Sequence, residues 1–230
     1  ISTIIEDPNI TKILVAPNAK EHMNFADVQF DPKMFAGSTI IFFTPMADKY
    51  TKVLEFIENM PLIKAFTLEL QKITTTSQFE SIITKKMDIM FANLNDAAKV
   101  IRGMDSDLTD EIESRLKSVD CYFARFSRVR VYTLGKFGSW ICIGDNGKRI
   151  HISSLNVKVV NRTGAGDTFA AGFLAMLFNE VQDPAKFDKM DDDSLLPILK
   201  TAGEFGTKAS ALKISSGNAP TFDEVNNFAN

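Results

Sequence analysis

Between Ser38 and Val119, short apolar runs alternate with amphipathic segments, and that alternation restricts the chain to a layered fold of strands and helices. Ser38-Thr39-Ile40-Ile41-Phe42-Phe43 is nearly continuous in apolar residues and reads as a strand. Tyr50 to Met60 carries the 3.6-residue period of a helix. Lys64 to Leu70 follows as a strand, Ser77 to Lys86 as a helix and Met87 to Phe91 as a strand; Leu94 to Arg102 and Leu108 to Val119 are helices. Strands without a polar face are buried on both sides, so the expectation is a parallel sheet with helices on both of its faces.

After Arg125 the texture changes. Val129 to Thr133, Ser139 to Ile143 and Arg149 to Ile152 are short strands punctuated by Gly135, Gly138 and Asp145-Asn146-Gly147. The last triplet is a strong turn signal, and a hairpin follows from it. From Thr168 the chain is mainly helical: one helix runs from Thr168 to Phe178, and another runs from Leu195 to Ala211 behind the acidic cap Asp191-Asp192-Asp193-Ser194. Residues 1 to 25 hold two short apolar stretches around Asp7-Pro8-Asn9 and read as a hairpin or paired edge strands.

A length of 230 residues suits one domain, or one domain with a small appendage. Apolar residues at 45% and charged residues at 24% are ordinary for a soluble protein, and the nineteen phenylalanines are spread through the chain as core residues. A formal charge of -3 gives no reason to expect nucleic acid or a membrane surface as a partner. Two cysteines, Cys121 and Cys142, are too few for a disulfide scaffold and point to a reducing compartment, the cytoplasm. Cys121, beside Tyr122 and Phe123, reads as a buried thiol. His22 and His151 have no metal-ligand company. Ile1 to Ile5 includes neither an initiator Met nor a basic leader, does not read as a signal peptide, and reads as a chain entered partway through.

The run Val160-Asn161-Arg162-Thr163-Gly164-Ala165-Gly166-Asp167-Thr168-Phe169 carries the chemistry. Its side-chain-poor turn lets backbone N–H groups gather around an anion, and Asp167 follows at once at a helix start. The arrangement suits phosphoryl transfer to a hydroxyl: the turn neutralises the moving group while Asp167 takes the hydroxyl proton. The alternative reading is a glycine turn ahead of an ordinary helix. Asn93-Leu94-Asn95-Asp96 lies beyond the carboxyl end of a strand, where ligands gather in parallel sheets. Asn93 could donate to a phosphate and Asp96 could orient waters around Mg²⁺; the alternative is an Asn/Asp helix cap. No G-x-x-x-x-G-K-[ST] occurs, which excludes a P-loop kinase, and the His-Arg-Asp and Asp-Phe-Gly elements of protein kinases are absent.

Taken in order, these segments resemble the ribokinase-like (PfkB) carbohydrate kinases, whose signature reads Asp-Thr-x-Gly-Ala-Gly-Asp. Gly164, Ala165, Gly166 and Asp167 match it, while Asn161 and Arg162 depart from it. The resemblance implies Gly164 to Gly166 as an anion hole and Asp167 as catalytic base. It implies ATP as phosphoryl donor with Mg²⁺, and a sugar or nucleoside as acceptor. The family's Asn-x-x-Glu is matched by Asn93 and Asp96, with Asp96 as the metal partner one methylene shorter. Its Thr-x-Gly-x-x-Gly is matched by Thr133, Gly135 and Gly138, the first two beside the phosphates and the third shaping the backbone. The adenine pocket falls to a later small-residue helix on which Ala202 and Thr207 are candidates; Gly203 stands where the family often has Asn. Lys136 and Arg162 are cations that could meet phosphate.

The implied fold is a ribokinase-like three-layer α/β/α sandwich with a partial small β lid. Residues 1–25 would be the lid remnant and 26–230 the Rossmann-like ATP-binding and catalytic core, with the N-terminal strands of a full member missing. Homodimerisation through the lid is the assembly such a remnant suggests. Two rival functions stand beside the sugar kinase: a kinase for adenosine or another nucleoside, and a catalytically weak homologue used as a binding or structural module.

Overall fold

A computed structural model of the chain describes residues 13–15, 31–35, 37–44, 50–70, 73–104, 107–145 and 147–228. Among these residues seven strands form one sheet, laid side by side in the order in which the chain makes them: β1 (Ile13–Val15), β2 (Ile40–Phe43), β3 (Ile63–Leu68), β4 (Met87–Asn93), β5 (Ser127–Thr133), β6 (Ser139–Ile143) and β7 (Lys148–Ile152). The first five pair in parallel, and the last two return as antiparallel hairpin strands.

That order decides where the helices go. Crossovers between parallel strands are right-handed, and a chain stepping always in one direction across a sheet then drops every connector on the same face. The helices α1 (Thr51–Ile57), α2 (Thr76–Ile82), α3 (Leu94–Arg102) and α4 (Ile112–Phe123) obey this and pack on a face built from Ile41, Phe43, Phe66, Met90 and Tyr132. The opposite face, with Phe42, Ala65, Ile89, Val131 and Ile141, is covered by helices from the chain beyond β7. There α5 (Ala165–Val181) and α7 (Asp192–Ser216) lie against the sheet, supported by α6 (Pro184–Lys189) and α8 (Phe222–Asn226). The expected α/β/α sandwich is present. Among the described residues no helix is long and apolar enough to cross a membrane.

The expected lid needs correction where it can be seen. Ile13–Val15 pairs in parallel with β2, so it is a strand of the core sheet rather than half of a hairpin. The other residues of 1–25, including His22, lie outside the described residues. A second difference concerns α4, which begins at Ile112 and not at Leu108. Arg115 holds the preceding segment away from the helix: its guanidinium donates to Leu108 O at 2.6 Å, to Asp110 O at 2.8 Å and to Asn95 Oδ1 at 2.6 Å. Backbone carbonyls held in this way do not continue a helical ladder. Cys121 is exposed, contrary to the buried thiol read from its neighbours, and Phe137 is half exposed, whereas Trp140 is buried and stacks on the His151 ring at 4.4 Å.

Among the described residues one charge is wholly internal. Arg130 on β5 has no exposed surface, and each of its five N–H groups has an acceptor. Asp120 on α4 takes two of them, at 2.8 and 3.0 Å, and the carbonyls of Ser127, Arg128 and Gly144 take the rest.

Small residues set the distance between α5 and α7. A Cβ built on Gly206 would lie 2.7 Å from Phe169 O, and one on Gly172 would lie 2.8 Å from the Ala209 Cβ. Gly206→Val forces these helices apart and is expected to cost about 2–3 kcal/mol, in line with overpacking elsewhere. Gly166→Ala, whose Cβ would meet nothing within 4 Å, is expected to leave stability unchanged or raise it. Urea midpoints of the two variants compare them directly.

Candidate active site

Along each central strand, side chains alternate between the two faces. On the face covered by α5 the alternation is apolar until the last position, where it turns polar. Phe42 is followed by Thr44, Ala65 by Thr67, Phe91 by Asn93 and Val131 by Thr133, while the antiparallel β6 starts with Ser139 before Ile141. The register sets Asn93 beside Thr133, and Thr133 beside Ser139. A collar of small polar side chains therefore crosses the sheet at the carboxyl ends of its parallel strands. The Thr67 and Ser139 hydroxyls are buried without a hydrogen-bond partner. Unpaired buried hydroxyls are costly, and a polar ligand at this edge would satisfy them. The sequence reading picked out Asn93 and Thr133 but missed Thr44, Thr67 and Ser139. The signal was available, since each strand ends its apolar period on Thr, Asn or Ser.

The glycine turn meets this collar. Strand β7 runs toward the same edge, because Ile152 pairs with Ser139, and the segment after it leads into α5. That helix begins at Ala165, not at Thr168, so Gly166 and Asp167 occupy its first turn. Gly164 precedes it in the left-handed region at φ 77°, with no side chain closing the turn. By contrast Asn93 caps α3 and Asp191 caps α7. Ala165 N–H reaches Arg162 O at 3.2 Å, whereas the N–H groups of Gly166 and Asp167 have no acceptor among the described residues. Two donors and the positive end of a 17-residue helix thus face the edge together. A Cβ on Gly164 would approach the Cε of Lys213 at 3.7 Å, so a cation passes beside the turn. Sequence reasoning missed Lys213, which lies far along the chain on α7.

Asp167 is half-buried. Burial pushes its carboxyl above the usual carboxylate range, and a hydrogen bond from the Thr44 hydroxyl partly offsets that push. That bond also ties the end of β2 to the start of α5. A carboxylate raised in this way is a stronger base than one in water.

Asn93 serves as a cap and remains available as a donor. Its Oδ1 accepts from Asn95 N at 2.9 Å and from Asp96 N at 3.4 Å, which leaves the Nδ2 amide free to turn toward a ligand. Asp96 lies in the first turn of α3, half-buried; burial raises its carboxyl pKa and nearby Lys99 opposes the rise. Among the described residues no group of three or more His, Cys, Asp or Glu could cage a metal. One carboxylate still suits Mg²⁺, which keeps its waters and shares phosphate oxygens.

The turn Gly135–Phe137 closes the edge beyond Thr133. Gly135 takes φ 53° with open space around it, and Gly138 takes φ 83° with a Cβ position 2.1 Å from Ile152 O, which only glycine tolerates. Ser154 Oγ donates to Lys136 O at 2.6 Å, and His151 Nε2 lies 2.8 Å from Phe137 O, so the turn is anchored to the segment that leads to α5. Lys136 and Arg162 are both exposed. On α7 the outcomes differ. Ala202 is wholly buried in the core and Gly203 packs against Ile141 and Ile152, so neither offers surface; Thr207 is half-buried, with its hydroxyl donated to Gly203 O at 2.9 Å. The acidic run ahead of this helix is structural: Asp191 accepts from Ser194 N, Asp192 pairs with Arg128 and Asp193 with Lys148.

An uncapped helix N-terminus and a half-buried carboxylate thus meet at the carboxyl edge of the parallel strands in an α/β domain. The family model for pfkB family carbohydrate kinases matches residues 14–224, and the chain belongs to that family. No curated protein matches it in sequence. Among solved structures it is similar to a ribokinase from Giardia lamblia, with a TM-score of 0.68 and 17% identity, covering 84% of this chain and 61% of that one. It is similar to a fructokinase from Vibrio cholerae in a fructose, ADP and calcium ion bound form, with a TM-score of 0.63 and 16% identity, covering 94% and 68%. An adenosine kinase from Sinorhizobium meliloti matches with a TM-score of 0.59 and 20% identity, covering 84% and 53%. The chain thus spans 61% of the length of the Giardia ribokinase.

The raised pKa of Asp167 has a consequence for stability. Between the unfolded and folded pKa values the native state binds more protons than the unfolded state, so stability falls as pH rises through that window. At neutral pH the ionised, half-buried carboxylate therefore opposes folding. Asp167→Asn is expected to raise Tm at pH 7, and the gain should vanish well below the carboxylate range, where both states carry the proton. Melting curves at the two pH values test this, and an equal shift at both would leave the carboxylate's charge without a role.

Proposed function

We propose that this chain is the nucleotide-binding and catalytic part of an ATP-dependent kinase that moves the γ-phosphoryl group to a hydroxymethyl group of a small sugar. The observation that carries the reading is the meeting of the uncapped α5 N-terminus with Asp167 at the polar edge of the sheet. The N–H groups of Gly166 and Asp167, with Gly164 and Ala165 shaping the turn, would hold charge developing on the phosphoryl oxygens. Asp167 would accept the acceptor's hydroxyl proton as that oxygen bonds to phosphorus and the bond to ADP breaks. Asn93 Nδ2 and the hydroxyl of Thr133, with the Gly135–Gly138 turn, would line the phosphates, and Thr207 the nucleotide side. Asp96 would hold Mg²⁺ through water, and the ion would supply charge neutralisation between phosphates.

The acceptor is a sugar on this reading. The similarity to an adenosine kinase keeps a nucleoside as the rival, and a binding module without turnover is the reading from another class. ADP release by the full-length protein against ribose, fructose and adenosine separates all three. Asp167→Asn is expected to lower kcat by ~10²–10⁴, the range for loss of a general base, with little change in KM for ATP. Turnover unchanged by the substitution would remove Asp167 as base. Absence of acceptor-dependent ADP with every member of the panel would favour the binding module.

A further inference from the structure

A cavity of about 430 Å³ lies at the other end of the sheet from the candidate active site. Lys86, just before β4, and the turn at Asp145, between β6 and β7, place it at the amino edge of the parallel strands. A seven-residue strand separates that edge from the collar, roughly 20 Å at the usual rise per residue. Its wall carries four cations, Lys86, Lys117, Arg125 and Arg149, against two carboxylates, Asp120 and Asp145. Asp120 is already neutralised by the buried guanidinium of Arg130 at 2.8 Å. The remaining pairings are weak. Lys86 stands 3.9 Å from Asp145, and Arg125 and Arg149 reach out to Glu80 and Glu113 through exposed side chains. Lys117 has no ion-pair partner among the described residues. The cavity thus holds an excess of positive charge that its own carboxylates do not balance.

We propose that this cavity binds a small phosphorylated molecule, independently of the site at the carboxyl edge. Two guanidinium groups and two ammonium groups suit a phosphate or diphosphate group. The volume falls within the roughly 300–1,000 Å³ of small-molecule sites. The exposed pairs with Glu80 and Glu113 can be exchanged for a bound anion at little cost, because those carboxylates stay hydrated.

Both cysteines line this cavity, which supplies its own reporter. Cys121 is exposed, whereas Cys142 is buried and its thiol is pushed far above the usual range by that burial, so only Cys121 should react with iodoacetamide. Alkylation of Cys121 is followed by mass spectrometry as pyrophosphate is raised to millimolar concentration, with potassium chloride at matched ionic strength as control. The expected result is a saturable, several-fold slowing of Cys121 alkylation by pyrophosphate alone. Lys117→Gln is expected to weaken the protection, and the double variant Lys117→Gln/Arg149→Gln to abolish it, each protection being the ratio to that variant's own unprotected rate, with circular dichroism as in the parent. Alkylation unaffected by pyrophosphate, slowed equally by chloride, or protected to the same extent in the double variant overturns the proposal.

Discussion

The contact between α5 and α7 places the candidate site. These helices approach closely because Gly172, Gly206 and Ala209 present almost no side chain where they meet. The approach seats α5 flat on Phe91 and Val131 through Phe173 and Phe169, and it fixes the direction in which the helix points. Its first turn then arrives at the carboxyl ends of the strands, beside Thr44. On α7 the same small residues serve packing. Gly203 closes on Ile141 and Ile152, and Gly206 on the backbone of Phe169, so the helix brings Lys213 alongside Gly164 as a by-product of core geometry.

Polar groups are treated differently at the two edges of the sheet. At the amino edge Arg130 is fully provided with acceptors, which is the condition under which a buried charge is tolerable. At the carboxyl edge Thr67 and Ser139 are left without partners, the helix start is uncapped and Asp167 is held above its ordinary pKa. Ser38, ahead of β2, has a buried unpaired hydroxyl too, but only at the carboxyl edge do an unpaired pair of hydroxyls, an uncapped helix start and a raised carboxyl pKa fall together, which is the usual mark of a site whose ligand completes it.

Much of this was legible in the amino-acid order. Strands β2 to β7 and helix α3 fall where the apolar runs and periods placed them, because buried parallel strands and strongly amphipathic helices write clear patterns. The chain order Asn93, Thr133, Gly164–Asp167 carries the resemblance to the family that the match over residues 14–224 shows. What was hidden depended on individual contacts that hydrophobic periodicity does not encode. Arg115 pulls Leu108 and Asp110 out of α4, Arg130 finds Asp120 across two elements, and Ala202 proves to be core because β6 and β7 lie beneath it. Thr44 was invisible as a neighbour of Asp167, since 123 residues separate them and only the closed sandwich brings them together.

The sequential strand order also bears on how the chain matures on the ribosome. Connectors α1 to α4 are made between the strands they join, so one face of the sheet acquires its cover as synthesis proceeds. Among the described residues, the other face, with Ile40, Phe42, Ile63, Ala65, Ile89 and Val129, receives its helical cover from residues made after β7. At ~5–20 residues per second, that apolar surface waits several seconds for α7 to emerge. During this interval the nascent sheet presents a broad, dry plane of the kind that holdase chaperones bind. The last third of the chain, which carries the glycine turn ahead of α5, is therefore also the part that closes this surface.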